Sequence, residues 1–316
     1  MNTDLCTLDA AALTHLQSWV GKTQTLGDSV TAAPVRALSA TLDRDDVDPV
    51  VGTALPELWH WLYFLPTARQ SELGPDGHPK RGGFLPPVPL PRRMWAGGRL
   101  QWHQPVLQVG DAVTRTSSIE SVTHKSGRTG DLVFVLVKHE VRSAQGLVLS
   151  EEHDIVYRGN VAPTLVASRT ALPPEEALAP RGGPSSLDAT PPAVAAPKAA
   201  AWTREVVPDD ALLFRYSALT FNGHRIHYDR KYVTEVEGYP GLIVHGPLIA
   251  TLLADLLRRN MPGARMQKFE FRAVRPVFDI APFKLHGTPS PDGKTVQLWT
   301  EDHAGWLSMQ ATATLA

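Results

Sequence analysis

One helix constrains the fold more than any other feature of the sequence, because it is apolar on almost every side. It is predicted to run from Pro247, which suits a first turn, to about Arg259, where basic residues favour the negative end of the helix dipole. Its polar stripe consists only of Thr251, Asp255 and Arg258. The remaining positions are largely apolar: Leu248, Ile249, Leu252, Leu253, Leu256 and Leu257. Such a helix has to be enclosed by other elements.

The segments that follow this helix are suited to enclose it. Phe269, Phe271 and Ala273 alternate with charged residues, which is the pattern of a strand with one buried face. Similar alternation occurs over residues 283–286, 295–300 and 306–315, and a short helix is predicted over 210–220. The C-terminal part is therefore predicted to be an antiparallel sheet curled around the 247–259 helix.

The N-terminal part shows a fainter version of the same pattern. Strands are predicted over residues 99–107, 112–122, 132–141 and 147–157, and an amphipathic core helix over 55–65. Gln104-Pro105-Val106 and Arg275-Pro276-Val277 occupy matching places after the helical region of each half. This match indicates a duplicated fold whose first copy has lost most of its sequence signal.

A change of composition separates the two halves. Residues 161–200 are rich in proline, alanine, glycine and serine and contain no aromatic residue, which is typical of a linker. We therefore expect an N-terminal domain over 1–160, a proline-rich linker over 161–200 and a C-terminal domain over 201–316. A chain of 316 residues, 43% of them hydrophobic, is long enough for two such cores.

Charge and cysteine content exclude several classes of protein. The formal net charge is −1, so no overall field favours nucleic acid or an acidic membrane. The single cysteine, Cys6, excludes an intramolecular disulfide and a multi-cysteine zinc site. The sequence shows neither a signal peptide nor a run long enough to span a membrane, and we expect a cytoplasmic protein.

The chemistry is concentrated in one loop and the helix start that follows it. The loop reads Phe221-Asn222-Gly223-His224-Arg225-Ile226-His227, and Val244-His245-Gly246 leads into the apolar helix. A histidine and a helix start together suit a reaction that transfers protons and develops negative charge on an oxygen. His227 suits the proton transfers, because a histidine pKa lies near neutrality. The N–H of Gly246 at the helix start suits the oxygen, and glycine allows a close approach.

These two elements resemble the MaoC-like hydratases and dehydratases, and most closely their two-hot-dog branch, which includes type 2 3-hydroxyacyl-thioester dehydratases. The stretch from Gly82 to Gly98 is similar to that branch as well. The resemblance implies an α+β double hot-dog fold, two antiparallel sheets each curled around a central helix, with the catalytic residues in the C-terminal domain. Where most of the wider family has aspartate this chain has Asn222, which orients water or substrate but exchanges no proton. Either His227 carries both transfers or a carboxylate arrives from elsewhere.

A second group of residues is predicted to bind substrate. The stretch from His78 to Arg99 is basic, proline-rich and free of acidic residues, so it is suited to the phosphates of coenzyme A or to surface ion pairs elsewhere. Arg225 is a candidate partner for a substrate carboxylate, or for a carboxylate of the protein. His245 either contacts substrate or packs at the helix start. The predicted phosphate contacts are Lys80, Arg81, Arg92 and Arg93, and Trp95 is a further predicted substrate-binding residue.

The predicted function is reversible hydration of an enoyl-CoA, with mesaconyl-C4-CoA or itaconyl-CoA hydration to citramalyl-CoA as the first choice. A fatty-acid type 3-hydroxyacyl-thioester dehydratase, a thioesterase and a non-catalytic acyl-binding protein are the alternatives. No metal and no cofactor are expected, and coenzyme A enters only as part of the substrate. The expected partner is a small-molecule acyl-CoA, with no nucleic acid and no membrane, and a homodimer is possible.

Overall fold

A computed structural model describes residues 8–127, 130–159 and 193–316 of the chain. Cys6 and most of the predicted linker lie outside the described residues. The five helices are α1 (Ala10–Gln17), α2 (Ala32–Thr41), α3 (Asp210–Leu219), α4 (Arg230–Glu235) and α5 (Gly246–Asn260). The N-terminal strands are β1 (Thr23–Ser29), β2 (Arg92–Trp102), β3 (Ala112–Gly127), β4 (Gly130–Ser143) and β5 (Gly146–Arg158). The C-terminal strands are β6 (Trp202–Val206), β7 (Met266–Ala273), β8 (Phe283–Pro289), β9 (Thr295–Glu301) and β10 (Leu307–Leu315).

The ten strands form one antiparallel sheet whose two halves repeat the same strand order. The order is β1-β3-β4-β5-β2-β7-β10-β9-β8-β6, so in each half the strands stand first, third, fourth, fifth, second from the outer edge inwards. The two halves join where β2 pairs with β7, with Gly98 opposite Phe271 and Leu100 opposite Phe269. This repeated strand order confirms the predicted pair of antiparallel units. The pairing of β2 with β7 joins the two units into one continuous sheet.

Several elements differ from the sequence prediction. Helices α1, α2 and α4 were not predicted, and the strand predicted over 99–107 is β2, which runs from Arg92 to Trp102. The outer strands β1 and β6 were not predicted, because they are short and mostly polar, and only one neighbouring strand covers each of them. The helix predicted over 55–65 is wrong. That segment forms only a 3₁₀ turn at Trp59–Leu62, flanked by the positive φ angles of Leu58 (69°) and Phe64 (56°). Most of its apolar side chains are nevertheless buried. The spacing of the apolar residues thus predicted burial correctly, but tertiary contacts determine the backbone conformation.

Helix α5 lies in the concave face of the C-terminal strands, as predicted. Ten consecutive residues of this helix, Leu248 to Leu257, are buried. The N-terminal strands have no helix of comparable length. Helix α2 is shorter and packs against α3 and the Trp59–Leu62 turn rather than along the strands. Part of the concave face of the N-terminal strands is therefore covered by side chains of other segments and not by a helix. No helix among the described residues is both long and apolar enough to cross a membrane.

The polar stripe of α5 is satisfied by a buried ion cluster. The Asp255 carboxylate is 3% exposed and accepts hydrogen bonds from Arg44 at 2.5 Å, Arg204 at 2.8 Å and Arg259 at 2.7 Å. Arg44 follows α2, whereas Arg204 lies on β6, so the cluster ties the two halves to the central helix. A buried carboxylate stabilises a fold only when such partners compensate its desolvation.

Replacing Asp255 with alanine is expected to lower the free energy of unfolding by about 3–5 kcal/mol, because the arginines lose their common anion inside the protein. Urea denaturation followed by circular dichroism measures the change. Asp45→Ala, at an exposed position of the same loop as Arg44, is the control and should change stability little. Equal stability of the two variants contradicts the role given to the cluster.

Candidate active site

His227 occupies the end of a 3₁₀ turn, Arg225–His227, directly before α4. Its Nδ1 lies 2.7 Å from the carbonyl oxygen of Ile243, and since a carbonyl only accepts, Nδ1 carries the proton. The other ring nitrogen, Nε2, is therefore unprotonated in the neutral ring. Burial lowers the pKa of His227 to about 4, although the bond to Ile243 opposes the shift. His227 is a neutral base at pH 7.

His245 and Gly246 form the helix end of the site. The His245 ring stacks on His227 with centroids 3.7 Å apart, and its Nε2 lies 2.8 Å from the Ser217 hydroxyl. His245 is fully buried, and its position behind His227 supports the packing alternative. Gly246 begins α5, and a Cβ added there would meet nothing within 4 Å. Open space thus lies before a helix start, where backbone N–H groups lack helical partners.

Asn222 and Arg225 make contacts that shape the loop. The Asn222 Oδ1 accepts the backbone N–H of His224 at 3.0 Å. Arg225 donates to Asp229 at 2.7 Å and to the carbonyl of Pro75 at 3.0 Å, and stacks 4.1 Å from the Tyr232 ring. The predicted roles of both residues towards substrate stay predictions. For Arg225, the observed contacts favour the alternative of an ion pair within the protein.

A loop of the N-terminal half enters the site and was not predicted. Asp76 and His78 lie beside His224, with the rings of His78 and His224 4.0 Å apart and those of His224 and His227 5.4 Å apart. The donor atoms of Asp76, His78 and His224 all lie within 4.8 Å of one another, so this trio offers three ligands to a metal ion. Burial is the largest cause that lowers the pKa of His78 and His224, and the charge of Arg93 adds to it.

The predicted phosphate contacts separate into two sets. Lys80 donates to the carbonyl of Ser71 at 2.9 Å. Arg81 donates to the carbonyls of Val88, Leu90 and Pro91, and Arg92 binds the Tyr239 hydroxyl and the Glu237 carbonyl. Arg93 forms the second set, because its neighbour is a tyrosine of β5 rather than a loop carbonyl. It lies beside Tyr157, its cross-strand partner on β5, and no ion pair among the described residues involves it. Whether any of the four binds phosphate stays a prediction.

A row of polar side chains crosses the concave face of the N-terminal strands. Ser117, His139 and Glu151 stand opposite one another on β3, β4 and β5. The Ser117 hydroxyl lies 2.7 Å from His139, and the Glu151 carboxylate binds His60 and the Trp61 indole N–H, each at 3.0 Å. We call these three residues the polar row. It separates two apolar clusters of the same sheet.

His153 on β5 lies beyond the polar row and packs against Trp95, and the charge of Arg93 acts on both His153 and His224. The rings of His153 and Trp95 are 4.0 Å apart, and those of His139 and His153 are 6.1 Å apart. Burial lowers the pKa of His139 to about 4 and that of His153 to about 3, yet both residues keep accessible surface. Side chains that are deep but accessible line a concavity. A histidine at an inward position of β4, after Val133, Val135 and Val137, is the sequence signal that could have revealed it.

Known proteins resemble this chain in sequence and in fold. A family model described as hydroxyacyl-thioester dehydratase type 2 matches residues 58–279. The mesaconyl-C(4)-CoA hydratase of Chloroflexus aurantiacus is 44% identical over 298 residues, which cover 94% of this chain and 97% of that protein. The mitochondrial hydroxyacyl-thioester dehydratase type 2 of Schizosaccharomyces pombe is 26% identical over 82% of this chain and 88% of that protein. A Mycobacterium tuberculosis protein with a double hot-dog fold superposes with a TM-score of 0.52 at 16% identity, covering 94% of this chain and 96% of its own, which confirms the predicted fold.

The buried histidines predict an acid-sensitive fold. His139, His153 and His227 have pKa values of about 4, 3 and 4 in the folded protein, against about 6.5 in an unfolded chain. The unfolded state therefore binds more protons between pH 6.5 and 4, and stability that is complete above pH 6.5 is lost as the pH falls through this window. Urea denaturation at pH 7.5, 6 and 5 should show a falling free energy of unfolding. His139→Gln should weaken the dependence, whereas a pH-independent stability contradicts the assignment.

Proposed function

The chain belongs to the hydroxyacyl-thioester dehydratase type 2 family, and on that premise we propose that it reversibly hydrates an enoyl-CoA whose β-carbon carries a free carboxylate. Mesaconyl-C4-CoA is the proposed substrate, and citramalyl-CoA is its hydration product. The reaction is that of a hydro-lyase, in which water adds across a carbon–carbon double bond. The choice of substrate rests on the polar row, together with His153 and the Arg93 guanidinium, which we call the polar lining of the site.

The geometry around His227 supports water addition. The neutral Nε2 of His227 takes a proton from water while the hydroxyl bonds to the β-carbon of the substrate. The electron pair of the double bond moves towards the thioester oxygen, which the N–H of Gly246 stabilises at the start of α5. A proton then reaches the α-carbon and completes the hydration. Open space before Gly246 leaves room for the thioester carbonyl.

The polar lining supports a short acyl group with a carboxylate over a long alkyl chain. An alkyl chain against Ser117, His139 and His153 would deprive polar groups of water without giving them hydrogen bonds, which is unfavourable. A carboxylate instead gains a cation in Arg93, and arginine binds carboxylates through two parallel N–H groups. In this arrangement Arg93 contacts the acyl group rather than the nucleotide.

A direct assay tests the proposed reaction. The protein is incubated with mesaconyl-C4-CoA, itaconyl-CoA and crotonyl-CoA while the absorbance of the conjugated enoyl thioester and the release of free thiol are followed; for itaconyl-CoA, product formation is followed by mass spectrometry. We expect loss of the absorbance without thiol, fastest with mesaconyl-C4-CoA. Thiol release indicates a thioesterase, and a preference for crotonyl-CoA indicates a dehydratase of fatty-acid type. No reaction with any of them indicates a binding protein.

Replacing His227 with alanine should lower kcat by about 100- to 10,000-fold, because the base for water is lost. The variant should still fold, which circular dichroism and thermal unfolding check. His15→Ala, at the partly exposed end of α1, is the control and should keep the wild-type rate. A folded His227 variant with more than about a tenth of the wild-type rate removes this residue from the mechanism.

Replacing Arg93 with glutamine should lower kcat/KM for mesaconyl-C4-CoA by about 10- to 100-fold, since a charge-assisted hydrogen bond contributes about 1.5–3 kcal/mol. Crotonyl-CoA has no free carboxylate, so its kcat/KM should change little. Arg142→Gln, which removes an exposed arginine of β4, is the matched control. An equal loss with both substrates places Arg93 in the fold or at the nucleotide and contradicts the carboxylate role.

A further inference from the structure

The loop that carries Asp76 and His78 is fixed against the catalytic loop by its backbone. The N–H of Arg225 donates to the carbonyl of Asp76 at 2.9 Å, next to the side-chain bond from Arg225 to Pro75. Gly77 has φ +86°, and a Cβ there would lie 1.9 Å from the carbonyl oxygen of Gly223. Only glycine fits this contact. The position of His78 is therefore as closely defined as that of His227.

His78 and Asp76 form a hydrogen-bonded pair at the end of this loop. The His78 Nδ1 lies 3.3 Å from the Asp76 carboxylate, which also accepts the His78 backbone N–H at 3.1 Å. Because the carboxylate accepts from Nδ1, the Nε2 of His78 is available for proton transfer. His227 has the same arrangement, with Nδ1 bound to a carbonyl. Both imidazoles contact the His224 ring, and they come from different halves of the chain.

Hydration needs two proton transfers in opposite directions. His227 is neutral and can accept the proton of water, but the α-carbon needs a donor. Asn222 has no proton to exchange, and its oxygen is already bound to the backbone of His224. The Asp229 carboxylate is bound to Arg225 and to the N–H of Tyr232. Of the titratable groups described around His227, the Asp76–His78 pair is the one with an unused ring nitrogen and a carboxylate partner.

We propose that His78 is the second acid–base residue of the site, that it protonates the α-carbon of the substrate, and that Asp76 positions it. The proposal rests on the proposed hydration. His227 takes one proton from water as the hydroxyl bonds to the β-carbon, and the Nε2–H of protonated His78 gives one proton to the α-carbon. A proton then passes from His227 to His78 by way of His224 or solvent, which restores both rings.

The charges around His78 connect its protonation with substrate binding. In the free protein burial outweighs Asp76 and lowers the pKa of His78. A substrate carboxylate held at Arg93 brings a negative charge close to the ring, and a nearby opposite charge favours the protonated form. The acid is thereby formed when the substrate that needs it is bound. The charge of Arg93 also disfavours a metal cation at Asp76, His78 and His224.

The test compares His78→Gln and Asp76→Asn with a matched pair elsewhere in the chain. His124 and Asp131 form another histidine–aspartate contact, at 2.9 Å, on β3 and β4. We expect His78→Gln to lower kcat by about 100- to 10,000-fold with KM within about threefold, as for loss of a general acid. Asp76→Asn should lower kcat less. His124→Gln and Asp131→Asn should leave both constants unchanged.

The pH profile and chemical rescue separate a catalytic role from a structural one. Asp76 raises the pKa of His78, so Asp76→Asn should move the alkaline limb of kcat to lower pH. Added imidazole should restore part of the activity of His78→Ala, whereas a packing defect is not repaired in this way. If the His78 variants do not fold, the position of the alkaline limb of kcat in Asp76→Asn tests the proposal by itself.

Four results overturn the proposal. His78→Gln retaining more than about a tenth of the wild-type kcat removes the residue from proton transfer. If the alkaline limb of kcat is unchanged in Asp76→Asn, Asp76 does not set the protonation of the catalytic acid. Wild-type activity that disappears with a chelator and returns with zinc assigns the trio to a metal instead. A wild-type protein that hydrates no enoyl-CoA refutes the proposed function and this proposal together, whereas an active wild type with an active His78→Gln refutes this proposal alone.

Discussion

The pairing of β2 with β7 is the contact on which the rest of the structure depends, because it fixes how the two halves of the chain face each other. Two adjacent glycines make it possible. A Cβ at Gly97 would lie 2.5 Å from the carbonyl oxygen of Phe271, and a Cβ at Gly98 would lie 2.8 Å from the Phe271 ring. With the strands this close, the ten-stranded sheet is continuous. The loop at residues 74–78 then reaches the loop at 222–227.

The two halves share a strand order but fill their concave faces differently. In the C-terminal half α5 buries ten consecutive residues against the strands, and its one charged side chain among them, Asp255, is bound by three arginines. In the N-terminal half the shorter α2 packs elsewhere, and the polar row lies in the sheet instead. Buried polar groups reduce stability unless they are paired. The N-terminal half therefore has paired polar side chains where the C-terminal half has the apolar core around α5.

Burial sets the protonation of the site. His227, His224, His78 and His245 lie close together, and four protonated rings at this spacing would repel one another strongly in a poorly solvated environment. In the free protein desolvation keeps them neutral, so each ring nitrogen without a proton is a base or an acceptor. The tautomer of His227 is fixed by the Ile243 carbonyl, whose position follows from the chain entering α5. The His227 ring is thus oriented by the backbone rather than by a carboxylate.

The sequence by itself determined the elements whose signal is local. The apolar pattern of α5, the alternation in β7 to β10 and the loop ending in His227 lie within about a hundred residues, and each is readable because its periodicity follows from its own backbone geometry. Tertiary structure alone decided the rest. The edge strands are polar and depend on one neighbour, and the turn at Trp59–Leu62 takes its path from contacts around it. The meeting of Asp76 and His78 with His224 depends on the pairing of β2 with β7, and the approach of Arg93 to His153 depends on the pairing of β2 with β5. Register is a relation between distant segments, and no spacing along a single segment encodes it.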